Sequence, residues 1–515
     1  MKTFNLSVKL GIVCAAAFIL LASSCKNDTG PFPTPVVTEE TDGPDVNFFA
    51  LTNDNRLLTL NAKNVATIVA TAPITGLQSG ETLLAMDFRP ATGQLYAVGS
   101  TSRLYIINTT TGVARAVSAT AFTPAITTSI YGAGFDFNPT VDRIRYVGYN
   151  GQNLRLNPET GTVAATDGTI SGSTLAPGVS AVAYTQNRAG AASTVLFDID
   201  LNNDKLYKQD PPNDGKLVEV GALTVNAEAT GGFDISPDGS KALAILTVAS
   251  KQGLYTIDLT TGKAVRVKNN LPANIIGLAI PTEPVAYAVT ANTELAIFNP
   301  ATPTPVLKAI IGLQAGETIL GVDMRPVNGQ LYALGSTSRL YTLNASSGVA
   351  TQVGTGTLTT PLLGTAFGFD FNPTVDRIRV VSNLGQNLRL NPNDGAVAAV
   401  DLAINPITSS VSAAAYTNNF AGATATVLFD IDASAGRLVK QDPPNNGTLV
   451  DVGALGVTAS TANGFDIGST SGTAYAVLTV GGVTKIYTIN LTSGAATAGA
   501  TLTGNFSGFT LGLGF

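Results

Sequence analysis

From Val46 onward, short apolar runs alternate with turns rich in Gly, Asn and Thr. Runs such as RLYIIN at Arg103 to Asn108, LAILTV at Leu243 to Val248 and TVLF at Thr194 to Phe197 are apolar at both odd and even positions. A strand with that pattern has both faces covered, so it belongs to a sheet stacked between two others and not to a sheet with one wet side. Six of the intervening turns start with Asn or Asp and end with Gly four residues later: Asn108, Asn157, Asp258, Asn344, Asn391 and Asn490 lead to Gly112, Gly161, Gly262, Gly348, Gly395 and Gly494. The leading side chain can bond its own backbone and the Gly can take positive φ, so these turns predict hairpins.

Two periods organise the strands. GQLYAVGSTSRLY at Gly93 to Tyr105 returns as GQLYALGSTSRLY at Gly329 to Tyr341, and FDFNPTVDRIR at Phe135 to Arg145 returns unchanged at Phe369 to Arg379. The chain is therefore a tandem duplication. Inside each copy a four-strand unit recurs, which is the make-up of a propeller blade. Its first-strand centres fall at Asp87, Asp136, Ala183, Asp234 and Ala279, then at Asp323, Asp370, Ala415, Asp466 and Gly514, with spacings of 44 to 51 residues, in the range of propeller arrays.

The first blade begins at NFFALT without an innermost strand before it, and IIGLAIP at Ile275 to Pro281 is such a strand without a blade. TLGLGF at Thr510 to Phe515 ends the second copy in the same way. The fold class expected is all-β, as two five-bladed β-propellers over 46–281 and 282–515. One ten-bladed ring is the alternative, because spacing alone does not fix closure.

FDFNPTVDRIRYVGYNGQNLRLNPETG at Phe135 to Gly161 and FDFNPTVDRIRVVSNLGQNLRLNPNDG at Phe369 to Gly395 resemble the bacterial domain-of-unknown-function family numbered 4394. The resemblance covers both copies almost end to end. It implies a secreted or surface repeat protein and transfers no catalytic residue.

Ahead of the repeats, Lys2 and Lys9 precede an apolar run from Leu10 to Leu21, long enough for a signal peptide and too short to span a bilayer. Ala22, Ser23, Ser24 and Cys25 follow and resemble a lipobox, although Leu is more usual at Ala22. Residues 1–24 are expected to be removed, Cys25 to carry the lipid anchor and 25–45 to form a flexible tether. Simple secretion with cleavage nearby is the alternative. The expected location is the cell envelope, as an outer-membrane lipoprotein facing periplasm or cell surface.

Composition narrows the chemistry. The chain has no His or Trp, and its two cysteines are Cys14 and Cys25. Ser-His-Asp and Cys-His machinery is excluded, as are zinc sites of the His or Cys type. Charged residues are 12% of the chain and the net charge is -6, without basic clusters, so a nucleic-acid partner is not expected.

Asp87, Asp136, Asp234, Asp323, Asp370 and Asp466 share a register on innermost strands, where a ring of carboxylates could hold calcium through oxygen ligands. The competing reading is structural: each Asp accepts from a backbone amide or an Arg of the next blade. Arg143, Arg145, Arg377 and Arg379 could present their forks to an anion, or form ion pairs between blades. Glu81 and Glu317, in matching GET segments, could pair with an Asp as glycosidase carboxylates, or stand in solvated loops. DIDLNND at Asp198 to Asp204 lacks the Gly and the final Glu of a calcium loop and reads as a hairpin turn, followed by an exposed QDPPN loop. No catalytic residue, cofactor or firm metal site is assigned.

The function expected is non-catalytic binding or scaffolding, with a glycan or protein ligand. A carbohydrate-active enzyme using paired carboxylates and a purely structural envelope component are the competing classes. A plugged channel with exposed Tyr on one rim favours binding, whereas a deep polar channel favours the enzyme.

Overall fold

The computed structural model describes residues 39–406, 408–460 and 464–515, and the signal peptide, Cys25 and most of the tether lie outside them. Among the described residues of Glu40–Phe515 the strands form ten sheets, nine of four strands and one of five, antiparallel apart from one edge pair. Burial falls outward along each sheet. The innermost strand Val179–Tyr184 is buried at every position, whereas the outermost strand Thr162–Thr166 of the neighbouring sheet alternates between exposed and half-buried. The second strands Leu95–Gly99 and Leu331–Gly335 are buried on both faces, as their unbroken apolar runs require.

The innermost strands of the first copy are Leu83–Phe88, Gly134–Asn138, Val179–Tyr184, Ala229–Ile235 and Ile275–Ala279. Each packs beside the next and the fifth packs beside the first. Ile275–Ala279 pairs antiparallel with Asn47–Thr52, placing Phe49 opposite Ala279, so the last strand of the copy completes the sheet that its first residues begin. In the second copy the innermost strands are Ile319–Met324, Phe367–Asn372, Val411–Tyr416, Gly464–Ile467 and Phe506–Leu511. There Phe506–Leu511 pairs with Ala286–Thr290, with Tyr287 opposite Thr510. Each copy thus returns to itself in five sheets, and a ten-sheet circuit does not form.

The hairpin turns follow their sequence chemistry. Asn108 Oδ1 accepts from the amides of Thr110 and Thr111, and Gly112, at φ +74°, donates to the Asn108 carbonyl. Glu40–Thr41, placed by the sequence reading in the tether, is instead a strand running parallel to Ala264–Val267. The acidic residues there face a basic edge. Arg266 pairs with Glu40, and Lys268 Nζ lies 2.9 Å from Asp42.

The two rings are joined by a turn that follows the innermost strand Leu83–Phe88. Ala91 enters an apolar cluster of the second ring with Val285, Tyr287, Leu331 and Leu513. Tyr287 donates its hydroxyl to the Ala91 carbonyl at 2.9 Å, and the Gly514 amide donates to Thr92 at 2.7 Å. At Gly93 a Cβ would stand 2.5 Å from the Phe515 ring, so only glycine fits that approach. Ala189 packs on the same cluster, so loops that follow two innermost strands of the first ring rest on the second.

Candidate functional site

The six register-sharing carboxylates form two triads, one on each axis: Asp87, Asp136 and Asp234, and Asp323, Asp370 and Asp466. In each triad one oxygen per residue lies within 4.8 Å of the others, and every member is about 1% exposed. They work as staples between blades. Asp87 Oδ2 accepts from the Phe137 amide at 2.8 Å, Asp136 Oδ1 from Tyr184 at 3.0 Å and Asp234 Oδ2 from Ile280 at 2.6 Å. In each case the amide belongs to the next innermost strand or its end. Where Ala183 or Ala279 precedes, no neighbour reaches forward, and the Asp turns its other oxygen to its own following amide. Asp234 Oδ1 takes Ile235 at 2.6 Å and Asp87 Oδ1 takes Phe88 at 2.7 Å. Three carboxylates therefore satisfy five axial amides, which would be costly to bury unpaired.

The second ring repeats the scheme with one added member. Asp323 staples Phe371, Asp370 staples Tyr416 and Asp466 staples Leu511. Thr510 Oγ1 lies 2.9 Å from Asp323 Oδ1 and 3.0 Å from Asp466 Oδ2, and accepts from the Met324 amide at 3.3 Å. Thr510 stands where Ala279 stands in the first ring, and this corrects the sequence reading that gave the place to Gly514. Four residues separate the two positions, and the GLGF ending hid the register because Gly and Leu recur in it. Gly514 instead binds the turn joining the rings.

Burial, then the Asp234 charge, push Asp87 well above the usual carboxylate range. Burial, then Asp87 and Asp234, do the same to Asp136. Asp234 is pushed by burial up to about 7, against the lowering effect of the Ile280 and Ile235 amides. In the second ring burial, then the charges of neighbouring aspartates, pushes Asp323 and Asp370 well above the usual range, while burial alone raises Asp466, to about 6. Like charges this close cannot all persist in a dry site, so each triad retains protons or takes up positive charge.

One further side chain marks the first axis. Among the described residues Asp136 Oδ2 finds no donor, and neither does Oδ1 of the fully buried Asn187. Burial dominates the shift of Asp87, and the Asn187 amide beside it acts in the opposite direction. Asn419 holds the matching place in the second ring, and its Oδ1 also lacks a donor. Sequence reasoning missed both residues. Each follows an innermost strand by three positions, and its return to the axis depends on Gln186 or Asn418 at φ +56°.

The arginines are engaged internally. Arg145, 2% exposed, donates to Asp167, Asn153 and Asn213 at 2.6 to 2.8 Å, and Arg379 repeats this with Asp401, Asn387 and Asn445 at 2.7 Å. Asn213 and Asn445 belong to the next blade. Arg143 and Arg377 reach the carbonyls of Asp142 and Asp376 and remain half-buried.

The other carboxylates also differ from their loop expectation. Glu81 is buried, with Thr101 N–H at 2.7 Å and Tyr105 hydroxyl at 3.1 Å. Glu317 does the same with Thr337 and Tyr341. Each closes a turn of its own blade. Asp200 caps its hairpin through the amides of Asn202 and Asn203, as the reading of DIDLNND as a turn expects. Gln209 and Gln441 are buried at the start of the QDPPN loops, whereas the sequence suggested exposure. Asp198 and Asp430 are buried with no donor to either oxygen.

The axis itself is narrow. In the first ring it leaves a small recess lined by Met86, Phe135, Val182, Phe233 and Leu278, the apolar residues next to the staple positions. Its near mouth is crossed by the chain at Ile130–Gly132. The Tyr131 carbonyl accepts from Thr230 N at 3.0 Å, and Thr230 Oγ1 also donates to Ser180, so this segment rests on two other innermost strands. Tyr131 is 40% exposed and meets the ring of Tyr149 with centroids 4.6 Å apart and planes tilted by 31°. Tyr149 donates to Asn202 at 2.7 Å, and Ile130 beside the pair is 89% exposed. The second ring lacks the device: 8 residues separate Pro361 from Phe369, against 11 from Pro124 to Phe135, and Thr365 and Asn383 replace the tyrosines.

Two rings of four-stranded blades, stapled at their axes by aspartates, define a tandem β-propeller. The chain belongs to the family described as Domain of unknown function (DUF4394), whose model matches residues 56–279 and 294–510. No curated protein matches it in sequence. Among solved structures it is similar to the extracellular domain of a putative one-component system from B. thetaiotaomicron, at 15% identity and TM-score 0.25, covering 88% of this chain and 58% of that one. It is also similar to PorZ, a surface component of the type-IX secretion system of Porphyromonas gingivalis, at 13% identity and TM-score 0.25, covering 90% and 59%. The chain thus spans somewhat over half the length of these two proteins.

Proposed function

We propose that this protein is a non-catalytic envelope lipoprotein that binds glycan on the near rim of its first ring. The observation that carries the reading is the Tyr131–Tyr149 ring contact at the axis mouth, with Tyr131 exposed and Tyr149 half-buried. Aromatic faces stack on the apolar faces of sugar rings, and Tyr hydroxyls and amides such as Asn150 supply directional polar contacts. Catalysis by paired carboxylates has less support, since the axial aspartates and Glu81 are buried and bound to backbone amides of the fold. Anchoring at Cys25 would hold the rim at the membrane surface through its acyl chains.

The full chain is screened on a glycan array, with product release assayed in parallel. Binding lost at least ten-fold in Y131A and Y149A, with no product, is the expected result. Hydrolysis would replace the reading with the enzyme, and silence on every glycan would replace glycan with a protein partner.

A further inference from the structure

The two axes differ where Ala279 of the first ring is replaced by Thr510 in the second, and that difference points to a ligand. In the second ring the Thr510 hydroxyl sits between Asp323 and Asp466. In the first ring Ala279 leaves that place without a polar group, and among the described residues neither Asp136 Oδ2 nor the buried Asn187 Oδ1, beside Asp87, finds a donor. Three carboxylates with oxygens within 4.8 Å and a spare amide oxygen form an all-oxygen donor set. Such a set suits a hard cation, and calcium tolerates irregular geometry and takes added waters where magnesium demands a regular octahedron.

We propose that the axis of the first ring binds one hard divalent cation of the calcium type, held by Asp87, Asp136, Asp234 and the Asn187 side-chain oxygen, and that the second ring binds none. The oxygens that staple the blades keep a second lone pair for the metal, so both roles coexist. The cation bridges carboxylates from three blades, beside the apolar recess of the axis. Its function is to lock the first ring, independently of whether the rim binds glycan.

The test is calorimetric titration of the full chain, stripped with EDTA and dialysed, with calcium chloride. One equivalent per chain is expected, with affinity reduced at least ten-fold in D136N and in A279T, which imports the second ring's hydroxyl, and unchanged in D370N. No heat of binding, two equivalents, one equivalent that survives both first-ring substitutions, or loss in D370N would overturn the proposal. Circular dichroism establishes folding. If D136N does not fold, A279T decides, since its hydroxyl already has a place in the homologous ring.

Discussion

Arg89 Nη1 lies 3.2 Å from the carbonyl of Gly329 while its Nη2 donates to Asp142 at 2.5 Å, so one guanidinium ties two blades of the first ring to a turn of the second. Glu159 adds a second carboxylate at 2.9 Å. The homologous Arg325 keeps the bidentate pair with Asp376 but has Asn393 in place of Glu159, and its side chain is 12% exposed where that of Arg89 is fully buried.

Removing Arg89 leaves two carboxylates without their cation, one of them fully buried. R89A is expected to lose about 3 to 5 kcal/mol, whereas R325A loses about 1 to 2 because solvent reaches its partner. Urea unfolding of both variants reads the difference. Equal losses would show that the contact between rings adds nothing to the pair between blades.

Asp370 separates stapling from charge. D370A leaves the Tyr416 amide buried without its acceptor and should cost about 1 to 3 kcal/mol. D370N keeps an acceptor oxygen and removes a like charge beside Asp323 and Asp466, so its loss should be under about 1 kcal/mol. Equilibrium unfolding at pH 8 distinguishes them, and a D370N as damaged as D370A would contradict the staple.

The blade architecture was legible because a strand covered on both faces must be apolar at every position, as Leu95–Gly99 is, and because duplication fixed the period. The shared register of the aspartates was equally visible. Their grouping was not, since three carboxylates meet at an axis only once five blades close around it. Nor was Asn187, which depends on a positive φ at Gln186 that no periodic pattern announces. The Tyr131–Tyr149 pair escaped for a related reason: it joins two loops whose proximity comes from blade packing. Composition could say only that Trp is absent and that tyrosine would have to serve.

Gly335 tests the Glu317 clasp. A Cβ there would stand 2.4 Å from Glu317 Oε1, the oxygen that accepts from Thr337 N–H. G335A should displace the carboxylate and cost about 1 to 3 kcal/mol, while G316A, with open space around its Cβ, should cost less despite its φ of +76°. Thermal unfolding of the two variants ranks them, and the reverse order would show that the clasp adds little.

Asp430 sets a pH dependence of known sign. Burial raises it to about 8 in the folded chain, and neither oxygen has a donor. An unfolded Asp titrates near 3.9. The folded state therefore binds more protons between those values, and stability falls as pH rises through that window. The contribution is fully present below about pH 4, the unfolded value, and is gone once pH passes the folded value. Asp466, at about 6, acts in the same direction over a narrower range. D430N carries no titrating proton, so its unfolding free energy should decline less than the wild type's between pH 5 and pH 8.5, and the two curves should diverge most near the upper end. Urea titrations at intervals of half a pH unit measure both slopes. Parallel curves would mean that Asp430 ionises in the fold as readily as it does in water, which its complete burial in the strand Leu428–Asp432 opposes.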